Sequence, residues 1–159
     1  MKKNKQNRVF IIAEAGVNHN GSLQLAKKLI NIAKDCGADA IKFQTFRADK
    51  LVSKNADKAE YQKKTTSAKD THFSMLKKLE LDKEDHIKLI AYCKSKSIEF
   101  ISSAFDEESA DMLEKLGVRQ FKIPSGELTN LPYVQHIARK QKPIILSTGM
   151  ATLREVKEA

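Results

Sequence analysis

Lys42 lies within Ala40-Ile41-Lys42-Phe43-Gln44, and Lys122 within Gln120-Phe121-Lys122-Ile123-Pro124. Both runs read as short, mostly buried strands, whose side chains alternate between faces. Ile41 and Phe43 then oppose Lys42 and Gln44, and Phe121 and Ile123 oppose Lys122. A cation in such a place is costly unless something negative meets it. Two of them on different strands predict a shared anion, and so an enzyme that holds a phosphate- or carboxylate-bearing substrate. At an effective dielectric of about 20, one ammonium about 4 Å from a negative charge gains about 4 kcal/mol. Two lysines around a multiply charged ligand would dominate its binding and disfavour neutral analogues.

Other polar residues recur where strands end. Glu14 closes the apolar run from Val9 and precedes Ala15-Gly16-Val17-Asn18-His19-Asn20-Gly21. By alternation it shares a face with Phe10 and Ile12. It reads as a substrate-binding or acid/base carboxylate, or as a cap for the next helix, and it can pair with Lys42. Gln44 shares the Lys42 face. Ile123-Pro124-Ser125-Gly126-Glu127 and Leu146-Ser147-Thr148-Gly149-Met150 each put a hydroxyl and a glycine just past a strand. Such hydroxyls and free N–H groups can hold phosphate oxygens. Glu127 is either a second carboxylate of the site or a helix-side cap. His19, His72, His86 and His136 lack metal-ligand spacing. His86 and His136 fall on amphipathic helical patterns at the surface or core edge, and His19 is the better site candidate.

The elements that must position these groups follow from periodicity and punctuation. Strands are expected over 9–14, 40–44, 98–103, 119–123 and 143–147. Between them come helical patterns at 22–35, with Ala26, Leu29, Ile30 and Ala33 on one face, and at 84–96, with Ile87, Ile90 and Ala91. A shorter pattern covers 73–79, and others cover 107–116 and Pro132 to about Arg139. Asn20 or Ser22, Asp82 and Asp106 are the expected caps; Gly37 and Gly117 the expected stops. Thr152 and Glu155 form a T-x-x-E capping box for a last helix. The polar stretch 47–72 is long for a plain connection and reads as mobile or as a functional flap.

Strand-helix repeated five times implies parallel strands with helical crossovers. No G-x-G-x-x-G follows the first strand, which argues against a doubly wound dinucleotide fold. The α/β class expected is a (β/α)8 TIM barrel, because Glu14, Gln44, Ser103, Ser125 and Ser147 all lie at strand ends, where barrels carry their chemistry. The chain has 159 residues, and a barrel needs about 250. The expectation is therefore the N-terminal five β/α units only, over 9–159, truncated before the remaining strands, with residues 1–8 a basic flexible N-terminus.

Composition narrows the function. Hydrophobic residues make up 41%, and 29 Lys and Arg against 20 Asp and Glu give a net charge of +9. The five arginines, Arg8, Arg47, Arg119, Arg139 and Arg154, are scattered, and no basic stripe with aromatics appears. A nucleic-acid partner is thus not expected, and the lysine excess reads as solubilising surface plus an anionic small-molecule site. The apolar run after the basic start is too short for a signal peptide, and no stretch approaches a membrane span. Cys36 and Cys93 read as free thiols in a reducing compartment, so a cytoplasmic location is expected.

The run Ile11-Ile12-Ala13-Glu14-Ala15-Gly16-Val17-Asn18-His19-Asn20-Gly21 resembles the bacterial sialic acid synthases. So do Gly37-Ala38-Asp39-Ala40-Ile41-Lys42-Phe43-Gln44-Thr45, Lys122 to Glu127, and Lys142 to Met150, in the same order. These are the N-acetylneuraminate, legionaminate and pseudaminate synthases. The resemblance implies a (β/α)8 barrel followed by an antifreeze-protein-like domain, and a domain-swapped homodimer. It implies condensation of phosphoenolpyruvate with an N-acetylmannosamine-type sugar, releasing phosphate, with manganese or magnesium as cofactor. By resemblance Lys42, Ser103, Lys122, Ser125 and Ser147 hold phosphoenolpyruvate. Gln44 and Glu14 lie beside the sugar and the reacting carbons, and Glu127 handles the attacking water. Ser103 stands where threonine is common. The metal-binding histidines and a sugar-contacting arginine are expected beyond Ala159, so no metal ligand is expected within the chain. The Ser125-Gly126-Glu127 form is closer to neuraminate and legionaminate synthases than to pseudaminate ones. A Schiff-base lysine aldolase and a related phosphoenolpyruvate-dependent sugar-acid synthase remain the competing readings, and the isolated 159 residues are expected to be inactive.

Overall fold

A computed structural model describes residues 8–53 and 71–159. Five strands form one parallel sheet in the order β1 (Ile12–Gly16), β2 (Ala40–Thr45), β3 (Glu99–Ala104), β4 (Phe121–Ile123) and β5 (Ile144–Leu146). Every strand lies beside its predecessor in the chain. A doubly wound sheet reverses its order at a switch point, whereas this sequential order is that of five successive units of a (β/α)8 barrel. The expected α/β class is therefore the one observed.

Helices cross over between the strands: α1 (Leu23–Asp35), α2 (Ala48–Leu51), α3 (His72–Leu79), α4 (Lys83–Ser95), α5 (Glu107–Lys115), α6 (Leu131–Ala138) and α7 (Leu153–Glu158). Their starts follow the side chains. Ser22, Asp82 and Asp106 each accept a backbone N–H of the first turn, and Thr152 with Glu155 forms the expected capping box. Asn20 stands in the preceding turn at φ 49° rather than capping. Gly37 and Gly117 follow α1 and α5 at φ 81° and 79°, the left-handed conformation in which glycine ends a helix.

The main core lies between the sheet and the helices. It gathers Ile41, Phe43, Phe100, Phe121 and Ile123 from the strands with Ala26, Ile30, Leu89 and Leu113 from the helices. Phe43 stacks on Phe100 at 5.5 Å between ring centroids. Four expectations are corrected. The first strand begins at Ile12, not Val9; Val9, Phe10 and Ile11 stay exposed, because regular pairing starts only opposite Ala40. Phe10 therefore shares no strand face with Glu14. On α4 the buried stripe is His86, Leu89 and Cys93, while Ile87 and Ala91 face outward. His86 is fully buried rather than at the surface. Of the stretch 47–72, residues 48–51 form α2 and Thr71 caps α3. The rest of that stretch, 54–70, and residues 1–7 of the expected basic N-terminus 1–8 lie outside the described residues.

Candidate active site

Register fixes which side chains share the face opposite the helices. Glu14 pairs with Lys42, Lys42 with Ile101, Gln44 with Ser103, Ser103 with Lys122, and Lys122 with Ile145. Partners in a parallel ladder point to the same side, so Glu14, Lys42, Gln44, Ser103 and Lys122 form one polar layer. Ser147, two residues past Ile145, continues it. Both lysines thus project from the same face, toward what is the interior of a barrel.

The contacts tie this layer together. Lys42 Nζ lies 2.6 Å from Glu14 Oε2 and donates to Ser103 Oγ at 3.3 Å. The Lys42 side chain is 13% exposed and that of Glu14 55%, so the pair runs from the interior to the rim. Lys122 Nζ donates to Ser147 Oγ and, at 2.8 Å, to the Ile123 carbonyl. Among the described residues it meets no carboxylate directly. Burial holds its pKa below the ordinary lysine value; the Lys42 charge lowers it further, and Glu14 opposes both. A ligand anion would supply the missing counter-charge.

Glu14 reaches the layer through a bulge. Glu14 pairs with Lys42 and Gly16 with Phe43, leaving Ala15 as the extra residue. Gly16 stands at φ 52°, and a Cβ there would lie 3.3 Å from Glu14 Oε1 and 3.8 Å from Gln44 Nε2. The missing side chain leaves room where these two groups converge. On the other side, a Cβ on Gly149 would sit 3.4 Å from Ser125 Oγ, so the turn after β5 packs directly against Ser125.

Ser125 and Glu127 occupy a 3-10 turn, Ser125–Glu127, just past β4. No described contact joins Glu127 to either lysine. Its Oε2 accepts from Asn130 Nδ2 at 2.7 Å, a partner the sequence reading missed. The available signal was an asparagine directly before the Leu131-Pro132 helix start. His19 is not in the polar layer. It is fully buried, with its ring 6.1 Å from Phe43 on the helix side of the sheet. Its Nδ1 accepts from Gly21 N–H at 3.0 Å, and its Nε2 has no partner among the described residues. His136 is bound to Asp111 between α6 and α5.

Among the described residues, no group of three or more His, Cys, Asp or Glu is placed to hold a metal ion. No helix among them is long and apolar enough to cross a membrane. A hollow of about 560 Å³ opens at the other end of the strands, lined by Ile90, Cys93, Phe100 and Val118. It is remote from the lysines, at the barrel end associated with stability rather than chemistry.

Comparison with known proteins converges on this layer's fold. Residues 29–159 match the NeuB family. The N,N'-diacetyllegionaminic acid synthase of Legionella pneumophila is 59% identical over 150 residues, 94% of this chain and 42% of that protein. The protein of the same name from Campylobacter jejuni is 57% identical over 152 residues, 96% of this chain and 46% of its own. The solved N-acetylneuraminic acid synthetase of Leptospira borgpetersenii, in complex with citrate, superposes with a TM-score of 0.82 at 33% identity. It is covered over 96% of this chain and 48% of that one. The chain thus spans less than half the length of the relatives it matches.

Proposed function

The chain belongs to the NeuB family, and from that premise we propose that the protein carrying it is a transferase that makes a sialic-type nonulosonic acid. It condenses phosphoenolpyruvate with an N-acetylated mannose-type sugar, N-acetylmannosamine or a related 2,4-diacetamido sugar, and releases phosphate. The legionaminic acid synthases at 59% and 57% identity favour the 2,4-diacetamido sugar. The observation that carries the reading is the pair of Lys42 and Lys122 on one sheet face, bonded to Ser103 and Ser147. The citrate held by the Leptospira relative is a small polycarboxylate of the kind such a layer would bind.

In this reading Lys42 and Lys122 clasp the phosphate and carboxylate of phosphoenolpyruvate, with Ser103, Ser125 and Ser147 as hydroxyl donors. Glu14 and Gln44 face the sugar. C3 of phosphoenolpyruvate attacks the sugar carbonyl carbon, and the carbonyl oxygen takes up a proton. Water, oriented by Glu127, adds at C2. The C2–O bond then breaks and phosphate leaves. The lysines orient the ligand and stabilise charge without forming a bond to it. A divalent metal, manganese or magnesium, belongs to the proposal, and no step above runs through it. Homodimer assembly and a cytoplasmic site of action are part of the same proposal.

One observation favours a second reading. Burial keeps the Lys122 amine easier to deprotonate, as a Schiff-base nucleophile requires. The test runs both on the whole protein that carries this chain. Phosphoenolpyruvate- and sugar-dependent phosphate release, with no adduct after borohydride and a keto acid, is the expected result. A borohydride-trapped adduct on Lys122 without phosphate release would replace the synthase with the aldolase.

A further inference from the structure

We propose that Asn130 is a positioning residue that aims the Glu127 carboxylate, using the first turn of α6 as its anchor; this rests on the synthase reading above. Asn130 Nδ2 donates to Glu127 Oε2 at 2.7 Å. The same side chain caps α6, its Oδ1 accepting from Tyr133 N–H at 3.4 Å. Its amide is therefore held at both ends, which fixes the direction of its N–H donors. The backbone closes the same loop, since Asn130 N–H donates to the Glu127 carbonyl at 3.1 Å.

The anchor itself is fastened to the barrel. Tyr133 is 3% exposed, and its hydroxyl donates to the Ala104 carbonyl at 2.6 Å. Ala104 ends β3, directly after Ser103 of the polar layer. Burial pushes the Tyr133 phenol up, and the nearby Glu127 charge pushes it further. The hydroxyl thus stays a donor at neutral pH. Chain connections run from Ala104 through Tyr133 and Asn130 to one oxygen of Glu127. Oε1 of Glu127 has no bonding partner among the described residues and stays available to a water molecule. A carboxylate fixed through one oxygen and free at the other suits a group that must orient water. Both oxygens would otherwise rotate freely on a partly exposed three-residue turn.

Asn130→Asp separates the two roles, because aspartate caps a helix as well as asparagine does. It removes the donor and faces one carboxylate with another. The whole protein that carries this chain is measured for phosphate release and for thermal unfolding. We expect kcat to fall about tenfold or more with the KM for phosphoenolpyruvate within about twofold of the parent, and the unfolding midpoint to stay close to the parent's. Asn130→Ala, which loses the cap too, should lower both kcat and the midpoint. An unchanged kcat in Asn130→Asp, or a fall matched by lost stability, would overturn the assignment. A second arm needs no activity. The Asn130 side-chain amide protons should shift in the NMR spectrum of Glu127→Gln while the Tyr133 backbone amide stays in place; an unmoved Asn130 amide would refute the contact. Absence of phosphate release in the parent, with that amide shift present, would sink the synthase reading and leave the Glu127 clasp standing.

Discussion

Lys122 shows how one side chain can carry both a cost and a function. Its ammonium is partly withdrawn from water and, among the described residues, meets only a serine hydroxyl and a carbonyl. Lys42, by contrast, already has Glu14 at 2.6 Å. An incoming anion therefore gains more at Lys122, where it need not displace a carboxylate. Lys122→Met should weaken phosphoenolpyruvate binding by about 2–4 kcal/mol, read by isothermal titration. Lys83→Met, at the exposed start of α4, should change it by less than about 0.5 kcal/mol. Equal losses would remove Lys122 from the site. The alternation that placed these lysines was legible in the sequence, because a buried strand leaves a lysine only one face. The Asn130–Glu127 bond was not, since a cap and a carboxylate three residues apart look the same whether or not they touch.

At the scale of elements, two turns depend on glycines held by different constraints. Gly117, after α5, stands at φ 79° with open space around it. Gly21, before α1, stands at φ 74°, and a Cβ there would collide with the Lys78 carbonyl oxygen at the end of α3. Gly117→Ala should cost about 1–2 kcal/mol from the left-handed backbone alone. Gly21→Ala should cost more, by about 2 kcal/mol or above, because backbone must also move. Chemical denaturation of both variants checks the difference, and equal costs would mean that α3 does not press on the turn at Gly21. A polar strut joins the start of α4 to the sheet. His86 Nδ1–H donates to the Asp82 carbonyl at 2.7 Å, which leaves Nε2 to accept from the Thr45 hydroxyl at 2.8 Å. Ser102 Oγ in turn lies 2.6 Å from Thr45 Oγ1. The helical period of 84–96 was evident, but the buried face was not. Apolar Ile87 and Ala91 compete for it, and the strut instead turns His86 inward.

Across the whole molecule, buried histidines link stability to pH. Burial lowers the pKa of His19 and of His86, and the nearby His86 lowers His19 further; Asp85 opposes this at His19, and the Asp82 carbonyl and the Asp85 and Asp82 charges oppose it at His86. Each ring is neutral in the fold and titrates near 6.5 when unfolded. Below that value the unfolded chain binds more protons, so their contribution is intact above pH 6.5 and is lost as pH falls toward the folded pKa. Urea unfolding should show stability dropping between pH 7 and 5 by up to about 1.4 kcal/mol per pH unit for each histidine. A flat profile over that range would mean that the rings are solvated. Composition, periodicity and caps determined by themselves that this chain makes parallel β/α units with two lysines facing inward, because those features depend only on neighbours in sequence. The tertiary structure alone decided which histidines are buried and that Glu127 is tied to Asn130. Such choices depend on how elements pack and on which way each side chain turns, neither of which the order of residues encodes locally.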